Sequence, residues 1–247
     1  TSSFTEGASV FGGGSNLKKA VKNIFDIYGP DIIAVHTTCL SETIGDDLNS
    51  YIMDLEIPEG KYVVHANTPS YAGSHVVGFG NMMSGFIKYL AEKKPTANGK
   101  IGIFPGFVNP GDMRELKRIA KLMQADYIMF PDTSGVMDAP NKGHYEMYPA
   151  GGTTIEEIKG LGAVQKVLAL GEITSTPPAM TLQAKCGVSF EALPLPMGIE
   201  ATDRHILALS HLLHTEVPAS LTEERGQLVD IMLDAHPNFA GKTVAVY

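Results

Sequence analysis

The sequence predicts an α/β protein of Rossmann-like parallel sheets with helices on both faces, truncated at both ends. Short apolar runs recur along the chain, as expected of strands buried on both faces. They alternate with longer stretches whose apolar residues repeat at helical spacing, an order that implies right-handed crossovers and a covered sheet. The turns leading from run to helix are short and rich in small polar residues.

In chain order, Leu17, Ala20, Val21, Ile24 and Phe25 predict a helix over 16–28, capped by Ser15 or Asn16 and stopped by Gly29-Pro30. Asp31-Ile32-Ile33-Ala34-Val35 reads as the first strand, and Cys39 falls in the turn after it. Asp46 and Asp47 then precede a helix opening at Leu48, with acids at its positive end. Residues 61–65 form a second strand. A small-residue loop over 67–75 leads into a helix over 76–93, so Ser74 occupies a second strand-to-helix turn on the same sheet edge as Cys39.

Thr96-Ala97-Asn98-Gly99 marks a boundary between a first region, 1–97, and a second, 98–236. Beyond it come strands over 100–104, 127–130 and 167–170. Helices follow over 110–124, 154–160, 178–185, 201–213 and 220–236. Glu156 and Glu157 suit the first turn of the short helix at 154–160. The last stretch, 237–247, reads as a turn and one further apolar strand. Because the chain opens on Thr1 and closes on that uncovered strand, we expect a piece of a longer protein.

Composition narrows the function. The 247 residues are 44% hydrophobic and 19% charged, ordinary for a soluble globular domain. A net charge of −8 with no basic run argues against a nucleic-acid partner. No apolar stretch is long enough to span a membrane and no signal-peptide pattern appears at the start. Two unpaired cysteines fit a reducing compartment, the cytoplasm.

Cys39 stands at the carboxyl end of a strand, where open α/β sheets bind ligands. Its thiolate could attack a substrate, hold a metal, or simply fill a tight turn. Cys186, the other cysteine, looks like a helix end, so the chain alone cannot supply the four thiolates of an ordinary iron–sulfur or zinc site. Gly12-Gly13-Gly14 precedes a helix with no strand before it, a weak phosphate loop. Neither Ser134-Gly135 nor Ser74-His75 makes a nucleophile elbow. Asp230 and Asp234, four apart, share a helix face. Either a cation lies between them or they form a solvated face beside Arg225.

Five stretches in order, FTEGASVFGG at 4–13, TTCLSETIGDDL at 37–48, HANTPSYAGSHV at 65–76, FPDTSGV at 130–136 and VPASLTEERGQLVD at 217–230, resemble the β subunits of nitrogenase component 1, the molybdenum–iron protein. The resemblance runs over essentially the whole chain. It implies that Cys39 ligates the P-cluster, an eight-iron, seven-sulfur centre shared with the α subunit. Two further cysteines of the β subunit would lie upstream of Thr1. Ser74 matches a serine whose hydroxyl binds a cluster iron on oxidation; the plain alternative is that this hydroxyl caps the following helix. Phe11 matches an exposed residue at the docking surface for the iron protein, the alternative being burial, and Ile44 falls in the same region. His36 and His75 flank the two turns and could tune the cluster by hydrogen bonding. Asp230 and Asp234 match ligands of a mononuclear iron or calcium ion completed by the second β subunit.

The implied function is dinitrogenase: electrons pass from the iron protein through the P-cluster to an iron–molybdenum cofactor in the α subunit, within a heterotetramer that reduces dinitrogen to ammonia. On this basis 1–97 is a partial P-cluster-bearing domain and 237–247 the first strand of a truncated third domain. A different class of reading is a cofactor-assembly scaffold that binds a precursor cluster. The vanadium and iron-only nitrogenases and the light-independent chlorophyll-precursor reductases share the architecture.

Overall fold

The computed structural model describes residues 6–246; Phe4 and Thr5 of the first motif lie outside the described residues. Two helices open the chain, α1 (Glu6–Phe11) and α2 (Gly14–Tyr28). Then come β1 (Ile32–His36), the short α3 (Cys39–Thr43), α4 (Leu48–Met53), β2 (Tyr62–Ala66), a 3-10 turn at Ser70–Ala72 and α5 (His75–Leu90). β1 and β2 pair in parallel, Ile32 opposite Tyr62 and His36 opposite Ala66. The second half contains β3 (Ile101–Phe104), α6 (Pro110–Leu122), β4 (Tyr127–Met129), α7 (Ile155–Gly160), a 3-10 turn at Leu161–Ala163, β5 (Val167–Leu170), α8 (Glu172–Cys186), β6 (Phe190–Leu193), α9 (Gly198–Leu213) and α10 (Ala219–Phe239). Its four strands form a parallel sheet in the order β4-β3-β5-β6.

Helices cover both faces, and the strand period shows how. Phe104, Ile128, Val167 and Ala169 point into one core with Ile87, Leu90, Ile158 and Leu182 from α5, α7 and α8. Their alternate neighbours Ile101, Ile103, Met129, Leu168 and Leu170 point into the opposite core with Met113, Leu116, Leu209 and Leu221 from α6, α9 and α10. Burial on both sides explains why these strands read as continuous apolar runs rather than alternating ones. The small sheet repeats the arrangement. Val63 packs with Val21 and Ile33 under α2, while Val64 joins the α5 core. Helix α5 belongs to both halves, because it lies on β2 and packs along α8. It fits there because Gly85 has no side chain; a Cβ would sit 2.7 Å from the His65 carbonyl oxygen.

Several elements differ from expectation. Helix α2 begins at Gly14 with Gly13 as its N-cap, not Ser15 or Asn16. The Gly13 amide donates to the Asp46 carboxylate at 2.9 Å, so a residue 33 positions away decides that end. Cys39 lies not in a plain turn but at the first position of α3, after Thr38 in extended conformation. Helix α5 stops at Leu90, where Ala91 turns extended. Helix α8 starts at Glu172 and carries Pro177 and Pro178 inside it rather than starting at Pro178. β6 has no counterpart in the sequence reading: it is only partly buried and includes Glu191, which pairs with Lys166 at 2.7 Å. Residues 242–246, read from the sequence as a strand, form no ladder.

Candidate functional site

The site is built where β1 and β2 end side by side. Beyond His36 the chain reaches Thr37, 4% exposed. Its hydroxyl accepts from the Thr68 amide at 2.8 Å, and its carbonyl accepts from the Thr68 hydroxyl at 2.9 Å. This reciprocal pair locks the loop after β2 onto the loop after β1. Two residues further along each loop stand Cys39 and Ser70. The Ser70 amide donates to Cys39 Sγ at 3.2 Å, and Ser70 Oγ lies 2.5 Å from the same sulfur. Helix α3 is closed locally: the Thr38 amide donates to Ser41 Oγ at 3.2 Å and Thr43 Oγ1 donates to the Cys39 carbonyl at 2.7 Å.

Cys39 is half-buried, with the Ser70 hydroxyl and then its amide holding its thiol below the ordinary cysteine range. Both bonds stabilise the thiolate, the form that binds metals. Cys186 is the opposite case: it is buried, and desolvation pushes its thiol up.

Ser74 precedes α5 as its N-cap residue in extended conformation, but its side chain makes no capping bond. Its hydroxyl is exposed and takes no hydrogen bond from the described residues, so the capping role is not realised. His36 and His75 are exposed, and neither has a hydrogen bond to Cys39; the His75 ring packs edge-on to Phe107 at 5.6 Å.

The same turn is tied to the start of the chain. Asp46 Oδ1 accepts from Tyr51 OH at 3.0 Å as well as from the Gly13 amide. Burial, then Asp46, raises the pKa of Tyr51. Asp47 caps α4 by accepting from the Ser50 amide at 3.2 Å. Phe11, just before this clamp, is 89% exposed, so the burial alternative fails. Ile44, two residues before Asp46, is half-buried at the end of α3.

Asp230 and Asp234 are elsewhere, exposed on α10, whose first turn packs under the four-stranded sheet through Leu221. Arg225 does not serve them: its guanidinium pairs with Asp203 at 2.9 and 3.0 Å. Among the described residues no group of three or more His, Cys, Asp or Glu side chains could hold a metal ion. Both candidate metal positions therefore need ligands from outside this set. Sequence reading missed Ser70 and the Thr37–Thr68 pair, which only the strand pairing brings together. No helix of the described residues is long and apolar enough to cross a membrane.

The donor set suits a metal–sulfur cluster. A half-exposed thiolate-prone sulfur at the carboxyl end of a strand is a soft ligand, and an exposed hydroxyl with no hydrogen bond among the described residues is a harder one on the adjoining loop.

A family model described as nitrogenase component 1 type oxidoreductase matches residues 1–247. The chain is 60% identical over 250 residues to the nitrogenase molybdenum-iron protein beta chain of Clostridium pasteurianum, covering 100% of this chain and 55% of that protein. It is 38% identical over 255 residues to the corresponding chain of Azotobacter vinelandii, covering 99% of this chain and 49% of that one. A solved structure titled "Nitrogenase Cp1 at pH 6.5" superposes with a TM-score of 0.96 at 60% identity, over 98% of this chain and 54% of that chain. This chain thus spans about half the length of the relatives it matches. It belongs to the nitrogenase component 1 type oxidoreductases.

Proposed function

We propose that this chain is part of the β subunit of a dinitrogenase and that its Cys39 edge is the β-subunit face of the P-cluster. The observation that carries the reading is a sulfur held by two Ser70 hydrogen bonds at the adjoining ends of β1 and β2, in a chain 60% identical to a molybdenum–iron protein beta chain. Cys39 would be the thiolate ligand and Ser74 the oxygen ligand available on oxidation. When bound, the cluster supplies reversible storage of electrons on their way from the iron protein to the iron–molybdenum cofactor of the α subunit. The chain's own residues position the donors, favour the thiolate form of Cys39 through the Ser70 hydrogen bonds and hold the turn to the start of α2 through Asp46. The partners are an α subunit, a second αβ pair and the iron protein, in the cytoplasm. The test is the iron content of the assembled complex carrying Cys39→Ala.

Docking gives a second test. Phe11 offers an exposed aromatic ring next to the clamped turn, with Ile44 on the same turn, as an anchor for the iron protein. Truncating an anchor of this kind costs on the order of 1–2 kcal/mol, about a five- to thirtyfold weaker complex. Phe11→Ala should raise the iron-protein concentration needed for half-maximal electron transfer by that factor, with metal content unchanged. An unaltered titration curve would remove Phe11 from the interface.

Asp230 and Asp234 fit a calcium or iron ion completed by the second β subunit, since two exposed carboxylates on one helix face attract a hard cation but leave it under-coordinated. Asp230→Asn with Asp234→Asn should release that ion and weaken the contact between αβ pairs, and a chelator should reproduce the effect on the unmodified protein. Tetramer stability that is the same in all three conditions would refute the site.

A further inference from the structure

We propose that Ser70 is a positioning residue for the Cys39 sulfur, donating a hydrogen bond from its hydroxyl and a second from its amide so that the ligand's direction and the cluster's potential are set by this loop. The inference rests on the P-cluster reading of Cys39 and deepens it. In the free thiol either atom of the 2.5 Å contact could donate. A sulfur bound to metal has lost its proton, so the Ser70 hydroxyl must then be the donor. The amide, 3.2 Å from the free sulfur, can act only as a donor.

The two donors come from one residue because Ser70 opens the 3-10 turn Ser70–Ala72. Pro69, with φ −68°, delivers the chain into that turn, and the Ala72 amide closes it on the Pro69 carbonyl at 3.1 Å. The Thr37–Thr68 pair then sets the turn at a fixed height against Cys39. The contact thus follows from the parallel register of β1 and β2 and not from a flexible side chain finding a partner. Donors aimed at a ligand sulfur stabilise the more negative, reduced form of a cluster, so they raise its potential.

The experiment uses the full-length αβ complex with its clusters in place. Ser70→Ala removes the hydroxyl donor and keeps the amide. We expect iron content to hold, while a dye-mediated titration gives a lower midpoint potential for the cluster and its paramagnetic signal in the oxidised state changes. Ser70→Thr, which keeps the hydroxyl, should return both to the values of the unmodified complex. A Ser70→Ala complex with unchanged potential and signal would overturn the role of Ser70 and leave the Cys39 assignment standing. Should Ser70→Ala fail to load iron, loading by Ser70→Thr supports the proposal; equal failure of both makes Ser70 a packing residue and overturns it. Failure of the underlying reading looks different, because Cys39→Ala would then retain its cluster iron.

Discussion

Cys39→Ala in the full-length complex is expected to lose P-cluster iron and the associated paramagnetic signal, with occupancy falling more than about tenfold. The estimate is conservative, since changes outside the ligands themselves already cost about 10–100-fold in metal affinity. The change should be local. Cys39 is the first residue of a five-residue helix whose closing bonds run through Ser41 and Thr43 rather than through the sulfur. Secondary structure should therefore survive. Cys39→Ser is an informative intermediate, since its oxygen is a harder and less favourable ligand for reduced iron than thiolate. Cys186→Ala is the control. That thiol is buried among the α5, α7 and α8 side chains, and losing it should leave iron untouched. Normal iron content and redox behaviour in Cys39→Ala would reject the proposed function.

The largest structural effect is expected at Gly162. It lies in the buried 3-10 turn Leu161–Ala163, under the chain segment that leaves α5. The Glu92 amide donates to the Lys159 carbonyl at 3.1 Å, which draws that segment onto the turn. A Cβ at Gly162 would sit 1.9 Å from the Glu92 carbonyl oxygen and 3.0 Å from Cys186 Sγ. The first obstacle is backbone, so no rotamer change relieves it. Gly162→Ala should cost about 3 kcal/mol or more, the upper end of what overpacking does. In a domain of this size that lowers the thermal midpoint by roughly 6–12 °C. Gly160→Ala, two residues earlier, meets only Ile128 Cδ1 at 3.6 Å and should be nearly silent. Equal midpoints for the two variants in thermal unfolding would show that the α5 exit does not press on this turn as described.

Much of the fold was legible because it is written in local periodicity. The runs at 101–104 and 167–170 are apolar throughout, as strands covered on both sides require. Helix α6 carries its own signals: Asn109 and Asp112 form a capping box, and Pro110 occupies the first helical position. Position along the chain also sufficed to put Cys39 at a strand's carboxyl end and Asp47 at a helix start.

Where local rules failed, a tertiary contact outweighed them. Pro178 reads as a helix start because its missing N–H costs nothing there. In the folded chain α8 nevertheless begins at Glu172. Ser175 donates from its hydroxyl to the Leu170 carbonyl at 2.7 Å, and Ala179 and Leu182 are buried in the core against α5. β6 was invisible because an edge strand needs one partner and only half a buried face, so its residues never form an apolar run.

The sequence by itself determined the parallel α/β class, most of its strands and helices, and the place of the candidate donors Cys39 and Ser74 just after two successive strands, because backbone preference and burial period act within a few residues. Only the tertiary structure decided that Ser70 meets Cys39 across 31 positions, that Ser74 leaves its hydroxyl uncapped, that Phe11 stands in solvent, and that Arg225 turns to Asp203 and not to Asp230 or Asp234. Each of those outcomes depends on the register between strands or the seating of one helix on another, and no short stretch of chain encodes either alone.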